Sequence, residues 1–208
     1  MRSVLQKLLG FTCFALLVIY SPSFGAVVEA SPTENIRKAT EKITSILDDY
    51  VKNPEGRRDE TINKIMAIAD QYFDWAEMAK RSLARFWKER IPDEQNEFVS
   101  LFRELIKNAY IGKIESYSGE KVVFTGDATE NNYSVVKTKI ITPAKGLEVP
   151  VDYRLQNQGG KWMVYDVVIE GVSLVNNYRS QFNSILQGSS YGELVKRIKD
   201  KLAQDSKK

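Results

Sequence analysis

The sequence predicts an α+β fold, a curved antiparallel sheet of about four strands packed against an N-terminal helical half and a C-terminal helix. Two observations carry this. Apolar residues between Ile36 and Ile114 recur at helical spacing, about 3.6 residues, whereas from Lys121 onward the spacing falls to about 2. The sole cysteine, Cys13, lies near the amino terminus, so the rest of the chain must be held together by its core. A curved sheet packed on helices is a shape that can enclose an apolar cavity.

The first residues set the boundary of the folded part. Arg2 and Lys7 precede an apolar run from Leu8 to Tyr20, shorter than the roughly 20 residues a membrane-spanning helix needs. It is expected to be a secretory leader. Ser23 and Gly25 place small residues at the −3 and −1 positions, which makes 1–25 the leader. Val28-Glu29-Ala30 is the alternative site, but cutting there puts the new amino terminus directly on a helix cap at Ser31. Cys13 lacks the small preceding residue of a lipobox, so no lipid anchor is expected. Residues 26–208 then fit one domain. Removing Arg2 and Lys7 leaves 28 basic residues against 27 acidic ones, a net charge of +1. That balance, with no basic stripe interleaved with aromatics, predicts no nucleic-acid partner.

Four helices are expected in the first half. Ser31-Pro32-Thr33-Glu34 is a capping box with proline at the first helical position, and Ile36, Ala39, Ile43, Ile46, Leu47 and Tyr50 follow, to about Val51. Asn53-Pro54-Glu55-Gly56 interrupts the pattern, after which Ile62, Ile65, Met66, Ala69 and Phe73 mark a second helix. Asp74-Trp75-Ala76-Glu77 opens a third, carrying Met78, Ala79, Leu83 and Phe86. Pro92 begins a long fourth helix with Phe98, Leu101, Phe102, Leu105, Ala109 and Ile114 on one broad face.

Strands follow. Val122 and Phe124 start the sheet, Val135–Thr142 continues it, and Pro143-Ala144-Lys145-Gly146 supplies turn chemistry. In Val149–Leu155, the residues Val149, Val151, Tyr153 and Leu155 point one way, and Pro150, Asp152 and Arg154 the other. Asn157-Gln158-Gly159-Gly160 is a hairpin turn into Lys161–Leu174. The order of elements places the helices on one side of the sheet. From Ser189 the chain is short and basic, with Lys196, Arg197, Lys199 and Lys201 expected on a solvated helix face.

The chemical inventory is small. With no histidine in the chain, histidine-dependent nucleophile systems and histidine-rich metal sites are excluded. No glycine-rich phosphate loop lies between a strand and a helix. Asp166 and Glu170, four apart, are expected on one face of the last strand. They either serve acid/base chemistry of the isomerase or glycosidase kind, or are structural, Asp166 pairing at the core's edge and Glu170 accepting backbone N–H bonds. The aromatic residues form either an ordinary packed core or the walls of a ligand cavity, and periodicity alone does not separate the two.

Several blocks, in order, resemble the MlaC, or toluene-tolerance, family of periplasmic phospholipid carriers. These are Phe73–Ala79 with Leu83 and Trp87; Glu97-Phe98, Phe102, Leu105 and Tyr110 closing at Tyr117-Ser118-Gly119; Val149–Leu155; Lys161–Leu174; and Asn176–Phe182 with Ile185, Leu186 and Gly188. The resemblance spans nearly all of residues 26–208. The chain departs from the family where a capping threonine and a glutamine are usual around the start of the long helix, having Ile91 and Glu94 instead.

The resemblance implies a monomeric periplasmic carrier that is not an enzyme and needs no metal or cofactor, its cargo being phospholipid. It also implies two docking partners, an outer-membrane lipoprotein complex and an inner-membrane ABC transporter complex containing an MCE-domain protein. Direction and size then single out Phe98, Leu101, Phe102 and Leu105 on the long helix as pocket walls. Val151, Tyr153 and Leu155 join them from the third strand and Tyr165 and Val167 from the fourth, with Val172 and Leu174 beside the last helix. An isomerase-like or lipid-modifying enzyme using Asp166 and Glu170, and an interaction module with a packed core, are the alternatives.

Overall fold

The structure, a computed structural model, describes residues 30–143 and 146–205. The leader, its first cleavage site and Cys13 lie outside the described residues, as do most of the second cleavage site, Ala144 and Lys145 of the expected turn, and the side chain of Ile114.

Four helices come first: α1 (Pro32–Lys52), α2 (Arg58–Tyr72), α3 (Trp75–Leu83) and α4 (Pro92–Glu115). Their starts follow the expected chemistry. The Ser31 hydroxyl accepts the Glu34 amide at 3.1 Å, and the Asp74 carboxylate accepts the Glu77 amide at 2.9 Å. Ile91 has no capping oxygen, but Glu94 reaches back and accepts the Ile91 amide at 3.2 Å, so half of a capping box survives. The third helix is shorter than expected. Ala84, at φ +52°, ends α3, and Phe86 sits in a 3₁₀ segment, Ala84–Glu89, because no α-helical hydrogen bond can pass that backbone turn.

The sheet has five strands rather than about four: β1 (Lys121–Glu130), β2 (Tyr133–Thr142), β3 (Leu147–Gln158), β4 (Lys161–Ile169) and the two-residue β5 (Val172–Ser173). All pair antiparallel in the order β1-β2-β3-β4-β5. The additional strand arises because Glu170 and Gly171, at φ +50° and +81°, form a two-residue turn that folds Val172 back beside Ile169. Register slips at Phe124/Gly126 and Arg154/Leu155, bulges of the kind that bend and twist a sheet, supply the expected curvature.

Cross-strand partners share a face, so the register assembles an inner face from Val122 and Phe124 of β1, Val136, Thr138 and Ile140 of β2, Val149, Val151, Tyr153 and Leu155 of β3, and Val164, Val167 and Ile169 of β4. Pro150, Asp152 and Arg154 point away, as the alternation requires. Ile36 of α1 and the ring of Phe73 pack on this face. Two anchors hold them there. Asn35 Nδ2 donates to the Trp162 carbonyl at 2.7 Å, and the Asp74 amide donates to the Val164 carbonyl at 2.8 Å. Helix α2 packs behind α1 through Ala39, Ile68 and Tyr72.

A second core lies off the β4 edge, where α3, α4, α5 (Leu174–Gly188) and α6 (Tyr191–Asp205) enclose Met78, Phe98, Phe102, Leu105, Phe182 and Leu194. The helices are therefore not confined to one side of the sheet, and the C-terminal part is two helices rather than one. The break is Ser189-Ser190, where the Ser190 hydroxyl accepts the Glu193 amide. The basic tail does more than face solvent. Leu194, Val195 and Ile198 are buried, Tyr191 donates to the Glu94 carbonyl at 3.0 Å, and Lys199 pairs with Glu97 at 2.7 Å.

Candidate functional site

The inner face of the sheet is apolar along its length, but only part of it is roofed. Val136, Val151, Leu155, Val164 and Trp162 are buried beneath Ile36 and Phe73, whereas Val122, Phe124, Ile140, Val149 and Ile169 on the same face keep accessible surface. Leu147, in phase with Val149, is 55% exposed, and Val172, beside Ile169, is 60% exposed.

At its β1 end this face borders a cleft of about 690 Å³ between α1 and β1. Its walls are polar, from Arg37, Thr40, Glu41, Thr44 and Asp48 of α1 and from Glu120 and Lys121, and Val122 and Phe124 form its apolar side. Thr40, Thr44 and Asp48 recur every four residues, so α1 turns a hydrophilic stripe to the cleft while Ile36, Ala39 and Leu47 turn inward. The Arg37 guanidinium lies 4.2 Å from the centroid of the Phe124 ring, a cation–π contact across the opening. At the other end of α1 the Tyr117 hydroxyl donates to Asp48 at 2.8 Å. Burial, assisted by that bond, pushes the Tyr117 pKa up to about 12, so the phenol stays protonated as a donor.

Tyr153 stands between the roofed and unroofed parts, opposite Val136 on one side and Val167 on the other. Burial pushes its pKa up to about 12 as well. Its hydroxyl makes no hydrogen bond among the described residues, and the side chain retains some accessible surface.

The residues expected to line one pocket divide into three groups. Phe98, Leu101, Phe102, Leu105 and Leu174 belong to the helical core, where Phe98 and Phe102 are fully buried and meet Phe182 edge-on at 5.6 and 6.4 Å. Val151, Tyr153, Leu155 and Val167 belong to the inner sheet face. Tyr165 and Val172 join neither cluster. Tyr165 is the extra residue of the β4 bulge and lies between Arg81, 4.2 Å from its ring centroid, and Tyr133. Residues absent from that expectation line the cleft, Val122 and Phe124 with the polar stripe of α1, and Ile140, Val149 and Ile169 share the inner sheet face with them. Val149 was legible, being in phase with Val151, but Ile140 and Ile169 join the face only through strand register.

The two carboxylates do not form a pair. Asp166, 3% exposed, accepts from Arg154 Nη1 at 3.1 Å, the Ser173 hydroxyl at 2.7 Å and the Val175 amide at 3.1 Å, and so holds the first turn of α5 against β4. Glu170 is exposed in the turn beyond β4. Its own amide donates to the Pro150 carbonyl at 2.9 Å, the reverse of the expected acceptance of backbone N–H bonds by its side chain. No cluster of three or more potential metal ligands occurs among the described residues.

Residues 37–200 match the MlaC protein family. The chain belongs to the MlaC family. The matched stretch begins at the arginine over Phe124 and ends inside α6, so the cleft, the inner sheet face and the helical core all fall within it. Among MlaC relatives, the chain is 24% identical to the intermembrane phospholipid transport system binding protein MlaC of Haemophilus influenzae, over 95% of this chain and 92% of that one. It is also 24% identical to the toluene tolerance protein ttg2D of Pseudomonas putida, over 90% and 85% of the two chains. A solved structure with the same fold is the phospholipid-binding protein from Ralstonia solanacearum in complex with a phospholipid. It has a TM-score of 0.74 and 22% identity, covering 85% of this chain and 99% of that one.

Proposed function

We propose that this MlaC-family protein is a periplasmic carrier of glycerophospholipid that catalyses no reaction. Its leader is removed, residues 26–208 act as one lipid-binding domain, and cargo passes between an outer-membrane lipoprotein complex and an inner-membrane ABC transporter complex with an MCE-domain protein. The observation that carries the reading is the half-roofed inner face. Val122 and Phe124 carry this face to an open cleft with a polar rim, and Ile140, Val149 and Ile169 keep accessible surface on the same face. Acyl chains lie along that face beneath α1, and the headgroup stays among the polar side chains of α1 and β1. Of the residues singled out in the sequence, Val151, Tyr153, Leu155 and Val167 belong to this wall, while the helical group supports it from the second core.

Each methylene removed from water contributes about 0.8 kcal/mol, so two sixteen-carbon chains need on the order of 20 kcal/mol of shelter outside a bilayer. A polar groove cannot supply that, and an apolar sheet face closed by a helix can. The name of the relative from Haemophilus influenzae and the phospholipid in the Ralstonia solanacearum structure support the same cargo. An acid/base mechanism loses its basis, since Asp166 is committed to holding α5 and Glu170 is in solvent.

The test uses a half-exposed wall residue, because a charge at buried Val151 or Val167 would threaten the fold itself. Ile140→Lys should leave far-UV dichroism unchanged and reduce co-purifying phospholipid at least tenfold in native mass spectra. Full lipid occupancy in a folded Ile140→Lys protein would place the acyl chains elsewhere.

A further inference from the structure

Ten arginines fall within the described residues, and eight of them, Arg37, Arg57, Arg58, Arg81, Arg90, Arg103, Arg154 and Arg197, have a carboxylate within 4 Å. The other two, Arg85 and Arg179, have none among the described residues, and both line a single recess of about 290 Å³ between the end of α3 and α5. Two uncompensated guanidinium groups at one recess, in a chain that pairs nearly all its arginines, require an explanation.

The recess is built to present them. Its floor is Leu83, which is buried, and one wall is Ala84, whose backbone at φ +52° and ψ −124° turns the chain out of α3 and carries Arg85 to the rim. Arg85 lies 4.8 Å from the Phe86 ring centroid, which steadies the guanidinium without using its N–H groups. From the other side, Arg179 Nε donates to the Arg81 carbonyl at 2.8 Å, which fixes the plane of that guanidinium and leaves its two terminal nitrogens for another acceptor. Asn183 adds a side-chain amide at the same recess, whereas the Ser180 hydroxyl is already donated to the Asn176 carbonyl at 3.1 Å.

We infer that this recess is a docking site for an acidic segment of a protein partner, with one carboxylate side chain bridged by Arg85 and Arg179. Planar guanidinium forks match carboxylates bidentately, and a recess of this size admits a side chain. A bilayer surface is the poorer fit, since attraction to anionic lipid needs several projecting cations, each contributing about 1 kcal/mol. The site lies apart from the α1–β1 cleft, sharing no residue with it, and so is suited to hold a partner while cargo remains bound.

The test titrates the isotopically labelled protein with an octaglutamate peptide and, separately, with vesicles of phosphatidylglycerol in phosphatidylcholine. Saturable shifts should appear at the Arg85 and Arg179 Nε–H signals and at the Ala84, Ser180 and Asn183 amides. They should weaken at least tenfold in Arg85→Gln, since the Arg85 guanidinium makes no hydrogen bond or ion pair among the described residues, and Arg179→Lys should keep less than half of the wild-type affinity. Peptide shifts centred elsewhere, no saturable shift, or binding to the vesicles without binding to the peptide would each overturn the inference. Lipid content is measured on the same samples. Loss of peptide binding with phospholipid retained counts against the docking site alone, and empty protein that still binds peptide counts against the carrier reading alone.

Discussion

Ala84 is the residue whose local conformation is hardest to account for by its own chemistry. A non-glycine residue at φ +52°, ψ −124° bears backbone strain of about 1–3 kcal/mol and persists only where the surroundings hold it. Here the buried Leu83 on one side and the 3₁₀ segment on the other hold it. Ala84→Gly removes the side-chain clash at some cost in unfolded-chain entropy, and is expected to stabilise the protein by about 1 kcal/mol, read as a raised urea midpoint with an unchanged m-value. Nothing in the spacing of Met78, Ala79, Leu83 and Phe86 announces the break, because alanine is an ordinary helix former. Asp166 is the opposite case. A lone carboxylate in an apolar strand is legible as a structural anchor, and three hydrogen bonds to Arg154, Ser173 and Val175 make it one.

Among the elements, helix starts were the most legible, since capping residue and first apolar positions agree at α1 and α3. What the charge pattern hides in α6 is the other side of the helix: Lys196, Arg197, Lys199 and Lys201 are exposed as expected, while Leu194 and Ile198 pack into the helical core. Leu194 is fully buried there, and Leu194→Ala should cost about 3 kcal/mol in chemical denaturation, a loss that a merely solvated tail would not produce. The short β5 was hidden for another reason. Two residues carry no periodicity, and only the left-handed backbone of Glu170 and Gly171 turns Val172 and Ser173 back into the sheet.

On the scale of the molecule, the chain builds two cores where the spacing of apolar residues suggests one. Periodicity shows that Phe98 and Val151 both point inward, but not that they point into different interiors, since only strand register and helix packing decide that. The candidate site was therefore half legible. The sheet wall at Val151, Tyr153, Leu155 and Val167 was visible in the alternation of β3 and β4, whereas the roof made by α1 and the open end at Ile140 and Ile169 depend on long-range pairing. The two-core arrangement has a functional consequence, because the helical core can hold the sheet in shape while α1, tied down at Asn35, Arg37 and Asp48, forms one side of the opening. The central claim is that this inner face shelters acyl chains. Organic extraction of the folded protein purified without detergent, followed by lipid mass spectrometry, tests it most directly: a stoichiometric diacyl phospholipid is the expected result, and a folded, phospholipid-free protein would contradict it.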